Sequence, residues 1–379
     1  MRKRSGTVVA VIAGLLALGM IIPMFMSKSN PGGEAAGITV AKVNRERVTA
    51  LDVNREFTRL YYERAMFTGL RPEDFDGLRS EALDKLIDDA LVLDAAKKAD
   101  MASVQSLVDS EYNSERSTFD DENEWVNALA RWGYSIKTYK QEIAKRQIIG
   151  AYPAVAYPYE VTEEEIQAEF DRTAKSNPGL TIDSARETIE RALRYRKDKE
   201  ARDKVIAAAR ETAKITILDP AILGHRAYVA GDYEESAKQY RRAAKQSPAD
   251  AYVQVSLARA FIAMDKDKDA EAAFAKAEKL SQTDPYVRLA KGDMMKGKGD
   301  NEAAAAAYGS ALKLADKDGY VLNQVLQGYK ALGMDDRASE VQSMIEALRA
   351  EASKVETKVD DAEQAAETEA NGEVPNPEE

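Results

Sequence analysis

A period of 34 residues runs without slippage through residues 219–350 of this 379-residue chain, and it constrains the fold more than any other feature. Asp250-Ala251-Tyr252-Val253 returns as Asp284-Pro285-Tyr286-Val287 and again as Asp318-Gly319-Tyr320-Val321. Small residues recur at Ser236, Ala270, Ala304 and Ala338, aromatics at Tyr240, Phe274 and Tyr308, and alanine at Ala243, Ala277 and Ala311. Gly224, Ala258 and Gly292 hold one further shared position. A unit of this size cannot bury its apolar face alone, so successive copies must stack into a solenoid. The fourth copy carries Leu326, Gln342 and Ile345 where the others have a small residue, an aromatic and alanine. That suits a terminal unit with no following neighbour to cover it.

The pattern resembles the tetratricopeptide repeat, whose paired antiparallel helices need small residues where backbones approach. The resemblance implies three repeats and a cap forming a short α-solenoid with a concave groove. The usual facing would put His225, Tyr228, Tyr252, Arg259, Tyr286, Asp293, Tyr320 and Asn323 in that groove, as partner-binding residues. The alternatives are that the recurring tyrosines pack between repeats and that His225 is an ordinary satisfied surface residue. Gly292, Gly297 and Lys298 fit the spacing of a phosphate loop, but Gly299 stands where such a loop needs Ser or Thr, and no strand leads in. No nucleotide site is implied.

At the other end, Thr7–Met26 is an uninterrupted run of uncharged residues, preceded by Arg2, Lys3 and Arg4. As a helix it spans about 30 Å, the thickness of a bilayer core. The basic flank predicts an N-terminus (1–6) in the cytoplasm, a transmembrane anchor over 7–26 and the bulk of the chain outside the cytoplasm. A cleaved signal peptide is the rival; its apolar stretch is normally shorter and followed at once by a small-x-small site, which this sequence lacks. Residues 27–37, rich in Gly, Ser and Pro, read as a linker. Residues 351–379 carry ten acids against two lysines and no apolar periodicity, and read as a disordered acidic tail.

Between linker and repeats, residues 38–218 read as one helical domain framed by strands. Ile38–Val43 and Arg47-Val48 are strand-like around an Asn44-Arg45 turn. Leu83, Leu86, Ile87, Ala90 and Leu91 follow the amphipathic-helix template. Further helices are expected over about 103–118, 121–132, 135–151, 162–175 and 182–213, with Glu187/Arg191 and Glu190/Arg194 paired on the last. Tyr152–Tyr159 reads as a connector extended by its prolines. Ile215–Leu218 is a β-branched strand expected to pair with Val40–Val43, closing the domain, and Asp219-Pro220 then caps the first repeat helix.

Val40–Phe57, Ala82–Met101, Trp125–Tyr152 and Val161–Arg172 resemble, in that order, successive segments of SurA-type periplasmic chaperone domains. Relatives often carry a parvulin isomerase domain after the segment matching Val161–Arg172. Here only Thr173–Leu180 separates that segment from the closing helix, too short for a domain. The resemblance therefore implies chaperoning without prolyl isomerisation: a cleft that holds extended, partly apolar polypeptide and releases it without ATP. Tyr61, Tyr62, Met66, Phe67, Trp132, Tyr134 and Tyr139 are the candidate client-binding residues, since methionine and aromatics suit promiscuous surfaces. The alternative for each is an ordinary place in the core.

Composition narrows the chemistry. With no cysteine and one histidine, disulfides, thiolate metal sites and iron–sulfur clusters are excluded, and His-based metal sites have no second imidazole. A formal net charge of −11 does not suit nucleic-acid binding. The expectation is a mainly α protein that is not an enzyme, needs no cofactor, and sits single-pass in a bacterial inner membrane with a periplasmic bulk. It would bind unfolded or nascent exported proteins, with an accessory role at the secretion translocon. The alternative is a tetratricopeptide scaffold recruiting a specific envelope protein.

Overall fold

The computed structural model describes residues 37–65, 74–99, 104–177, 179–315 and 317–351. The anchor over 7–26, nearly all of the linker, Met66, Phe67 and the acidic tail beyond 351 lie outside the described residues. Among the described residues, no helix is long and apolar enough to cross a membrane. These residues form fifteen helices and a three-stranded sheet, distributed over two compact units. Of the described residues, the first unit takes in those within 37–62 and 78–219, and the second takes in those within 63–77 and 220–351.

In the first unit, β1 (Thr39–Val43) lies between β2 (Glu46–Thr49) and β3 (Ile215–Ile217), antiparallel to both. The expected closing pairing is present: Ala41 faces Ile217, Lys42 faces Thr216 and Val43 faces Ile215. Register shifts between Thr39 and Ala41, leaving Val40 as an extra residue on β1. This bulge lets the consecutive residues Val40 and Ala41 both be buried, which strict alternation forbids. The Val40 carbonyl accepts the N–H groups of Leu218 and Asp219 at 2.7 and 3.2 Å, turning the chain out of β3.

The β1–β2 turn lacks the usual glycine, and Asn44 takes the left-handed conformation instead, at φ 52°. Its side chain explains why it can. The amide donates to Asp94 at 2.8 Å and its oxygen accepts from the Lys214 N–H at 2.8 Å.

Helix α1 (Ala50–Ala65) starts from a reciprocal cap. Thr49 N–H donates to Asp52 at 2.9 Å, and Asp52 N–H donates to the Thr49 hydroxyl at 3.2 Å. Helix α2 (Phe75–Lys98) buries Leu83, Ile87, Ala90 and Leu91 as their spacing requires. Next come α3 (Gln105–Arg116), α4 (Glu122–Arg131), α5 (Ile136–Ala156), α6 (Glu163–Ala174) and α7 (Ile182–Thr212). From α7, Arg202 and Arg210 reach Asp89 and Asp88 of α2 at 2.7 and 2.5 Å. Ile166 of α6 packs with Ala185, Ile189 and Leu193 of α7. The α6–α7 junction is as short as the sequence implies.

One expectation fails. Tyr152–Tyr159 is not an extended connector, because α5 continues through Pro153 to Ala156. A proline here removes only one backbone bond near the helix end, and its ring is buried. The N–H of Tyr157 still donates to the Pro153 carbonyl at 2.9 Å. The helix stops at Tyr157, which Pro158 pushes out of helical conformation to φ −132°.

The second unit contains the repeats: α8 (Pro220–Val229) with α9 (Tyr233–Gln246), α10 (Ala251–Ile262) with α11 (Asp267–Leu280), α12 (Pro285–Lys298) with α13 (Asn301–Leu314), and α14 (Gly319–Ala331) with α15 over 335–351. Asp250, Asp284 and Asp318 cap the first helices through their side chains, as the repeated tetrapeptide implies. The periodic alanines and aromatics form one apolar core running from Ala237 to Ile345. Tyr308 shows why small residues recur. A Cβ on Gly292 would lie 2.6 Å from one edge of its ring, and a Cβ on Gly328 would lie 2.6 Å from the other. The phosphate-loop-like segment is the end of α12, closed by Gly299 at φ 85°.

Candidate functional site

In the first unit the site is built around the α4–α5 turn. Trp125 on α4 is fully buried with Val108, Tyr112, Leu129, Tyr139 and Ile143, and its indole N–H donates to the Tyr112 hydroxyl at 3.0 Å. Tyr112, Trp132 and Tyr139 meet it edge-on and Phe119 at a tilt, with ring centroids 5.1–6.0 Å away. Trp132, at the end of α4, is the exposed member, with 36% of its surface open. Tyr139 is the opposite case. It is 7% exposed, its hydroxyl bonds Glu115, and burial together with that carboxylate raises its pKa. Of the candidate client residues, Tyr139 therefore belongs to the core, because the i,i+4 spacing of α5 aligns it with Ile143.

Arg55 of α1 fixes this turn. Its guanidinium donates to the Trp132 carbonyl at 3.0 and 3.2 Å and to the Gly133 carbonyl at 3.0 Å, and it lies 3.7 Å from the Tyr134 ring centroid. Tyr134 is half-buried, and burial raises its phenol pKa to about 12, with the Glu142 charge adding to the effect. Tyr61 and Tyr62 are also half-buried and lie farther along α1, by helical rise roughly 9–10 Å beyond Arg55. Tyr61 stacks on Phe57 and meets Tyr62 edge-on, with centroids 6.2 and 5.4 Å apart. The turn thus gathers Trp132 and Tyr134, while Tyr61 and Tyr62 form a separate group on α1. Sequence reasoning missed Arg55 and Trp125, although Trp125 and Leu129 stand at helical spacing.

In the repeats, the eight predicted groove residues are all half-buried and separate into distinct roles. Tyr252 bonds Asp284, and Tyr286 donates to Asp318 at 3.1 Å, so each reaches the capping aspartate of the next repeat. Tyr320 stacks on Tyr286 at 6.1 Å. The recurring tyrosines are therefore inter-repeat struts, as the alternative held. Asp293 accepts from Tyr308 at 2.6 Å and Lys296 at 3.1 Å, and Asn323 donates to the Gly319 carbonyl of its own helix at 2.6 Å.

His225, Tyr228 and Arg259 remain as a group, with Arg259 5.7 Å from the Tyr228 centroid. The nearest atoms to a Cβ placed on Gly77 would be those of the His225 ring, at 3.4 and 3.5 Å. His225 Nδ1 is buried without a hydrogen-bond partner, and burial lowers the imidazole pKa, with the Asp76 charge opposing. Asp76 accepts hydrogen bonds from Tyr240 at 2.9 Å and Ser256 at 2.6 Å. Burial and that carboxylate raise the Tyr240 pKa far above the ordinary range. Asp76 and Ser256 were not legible as site residues. Among the described residues, no group of three or more His, Asp or Glu could hold a metal ion.

Residues 1–151 match the family model of the SurA-like N-terminal domain, and residues 227–293 match that of the tetratricopeptide repeat. The chain thus carries a SurA-like N-terminal domain within residues 1–151 and a tetratricopeptide repeat within 227–293. Both are non-catalytic domain types of chaperones and scaffolds, and they point to a chaperone or protein-interaction role.

No curated protein matches the chain significantly. Among solved structures, it is similar to BtubC (BKLC) from P. vanneervenii, 19% identical over 58% of this chain and 96% of that one, with a TM-score of 0.27. It is also similar to the APC/C hetero-tetramer Cut9–Hcn1, 14% identical over 79% and 72% of the two chains, with a TM-score of 0.18.

Proposed function

We propose that the protein is an ATP-independent holdase of the bacterial envelope. Thr7–Met26 anchors it in the inner membrane with the N-terminus in the cytoplasm, and the periplasmic SurA-like domain holds newly exported polypeptides beside the secretion channel. The observation that carries this reading is Trp132, an aromatic ring 36% exposed at the edge of a closely packed aromatic cluster. Such a surface offers apolar area at little entropic cost, which suits weak binding of many sequences. The basic flank and apolar run support the location.

The full chain in detergent or vesicles should suppress aggregation of an unfolded model protein without ATP and leave proline isomerisation at its uncatalysed rate. Trp132→Ala should weaken suppression severalfold in a chain that stays folded by far-UV circular dichroism, with the melting temperature lowered by the lost contacts to Trp125 and Phe119. Retention in the membrane after carbonate washing tests the anchor; a soluble form starting near residues 27–38 counts against it and leaves the holdase reading standing. The second reading, a scaffold that recruits one envelope protein, is favoured by the half-buried group of His225, Tyr228 and Arg259 on the repeats. Photocrosslinking in cells separates the two: many unfolded clients from position 132 support the holdase, and one stoichiometric folded partner from position 228 supports the scaffold.

A further inference from the structure

We infer that the outer face of the three-stranded sheet is a docking surface for anionic phospholipid headgroups. The inference takes its location from the proposed anchor. Register fixes which residues share the face. Lys42 of β1 stands opposite Arg47 of β2 on one side and Thr216 of β3 on the other. Their chain neighbours Ala41, Val43 and Val48 are buried, so the row of Lys42, Arg47 and Thr216 points away from the core. Lys214 lies beside the β1–β2 turn, its carbonyl accepting the Asn44 N–H at 2.9 Å, and Arg45 stands in that turn. Lys42, Arg45, Arg47 and Lys214 are all exposed.

Among the described residues, no acid pairs with any of these four cations, although the chain as a whole is strongly acidic. On the neighbouring α2, by contrast, Lys97 and Lys98 are taken by Glu46 and Asp94 at 2.5 and 2.7 Å. Lys42 and Arg47 also work against the sheet, since like charges at facing positions repel. An anion from outside the chain relieves that repulsion. The adjoining surface says which anion. Ile38, 56% exposed, precedes β1, and Leu218, 40% exposed, follows β3 with its N–H on the Val40 carbonyl at 2.7 Å. Both lie at the end of the sheet where the chain enters β1. Apolar side chains beside a basic face fit the boundary between acyl chains and headgroups. Distance agrees. Residues 27–37 can span at most about 40 Å, so an anchor over 7–26 keeps the sheet beside the bilayer. Each basic residue near an anionic surface strengthens association about fivefold.

The chain has no cysteine, so Thr216→Cys carries a single environment-sensitive dye on this face. The full chain is reconstituted into vesicles of phosphatidylcholine, alone or mixed with phosphatidylglycerol. Dye emission should shift to the blue in the mixed vesicles only, and the shift should fade as salt is raised. Lys42→Gln combined with Arg47→Gln should lower the ratio of docked to free sheet about tenfold or more. Lys42→Glu separates docking from folding. It puts opposite charges at the facing positions, so the melting temperature should hold or rise while the shift is lost. Equal emission in the two kinds of vesicle, a shift indifferent to salt, or a Lys42→Glu chain that keeps the shift would overturn the inference. So would a salt-sensitive complex of this face with an acidic protein and none with the mixed vesicles. Carbonate washing tells this failure from failure of the anchor. A chain that washes off yet still binds mixed vesicles through Lys42 and Arg47 loses the anchor and keeps the docking face. A retained chain with an unshifted dye keeps the anchor and loses the face.

Discussion

Gly292→Ala places one methyl group where the repeat core has no room. The new Cβ would meet Cε1 and Cδ1 of Tyr308 at 2.6 and 2.7 Å, where carbon atoms settle at about 3.5–4.0 Å. The ring cannot retreat, since the Cβ position of Gly328 is 2.6 Å from its opposite edge and its hydroxyl is held by Asp293 at 2.6 Å. Either the helices spread or the ring turns and gives up that bond. Overpacking costs about 1–3 kcal/mol, and a hydrogen bond to a charged group is worth about 1.5–3 kcal/mol. The better helix propensity of alanine returns about 1 kcal/mol. By either route the net destabilisation is about 1–2 kcal/mol, a drop of about 5 °C for a unit of this size. Gly297→Ala, five residues along the same helix and with nothing within 4 Å of its Cβ position, is the control and should gain up to about 1 kcal/mol. Far-UV circular dichroism against temperature and urea measures both. A Gly292→Ala chain within about 0.5 kcal/mol of wild type would refute the argument that steric closure at Tyr308 selects glycine there.

Three further outcomes are expected. Asn44→Ala loses two side-chain hydrogen bonds and forces a Cβ-bearing residue without local compensation into a positive φ, so the first unit should lose about 2–3 kcal/mol, read by the fluorescence of Trp125 and Trp132. Tyr286→Phe removes one inter-repeat strut and should cost about 1 kcal/mol, while Asp318→Ala also removes the cap of α14 and should cost about 2–3 kcal/mol by urea denaturation; equal effects would mean the strut is idle. Tyr134 has a folded pKa raised to about 12 against an unfolded value of about 10, so its contribution to stability is complete below pH 10 and is lost as pH rises from 10 to about 12. Tyrosinate absorbance from the buried phenols should then appear together with loss of circular dichroism; a smooth titration of every tyrosine near pH 10 in a folded chain would contradict it.

The sequence by itself settled the repeat register, the presence and order of the first unit's helices and the pairing of β3 with β1. Those features rest on local signals: small residues every 34 positions, aspartate caps before each first helix, and β-branched residues at both ends of one domain. What it left open is where a side chain goes once elements meet. Tyrosine at the start of a repeat helix can face a groove or a neighbour, and the aspartate presented by the next repeat decided for Tyr252 and Tyr286. Trp132 and Tyr139 are both aromatic and only a turn and a loop apart, yet α5 folds Tyr139 under Trp125 and leaves Trp132 at the surface. Pro153 reads as a helix breaker, but burial of its ring in a final turn outweighs one missing bond. Asp76 shows the limit most sharply. It lies 164 residues from Tyr240 and 180 from Ser256, and no periodicity or spacing encodes such a contact. Only the folded repeat array brings two hydroxyls from adjacent repeats to one carboxylate, because hydrogen bonding depends on position in space and sequence distance does not fix that position.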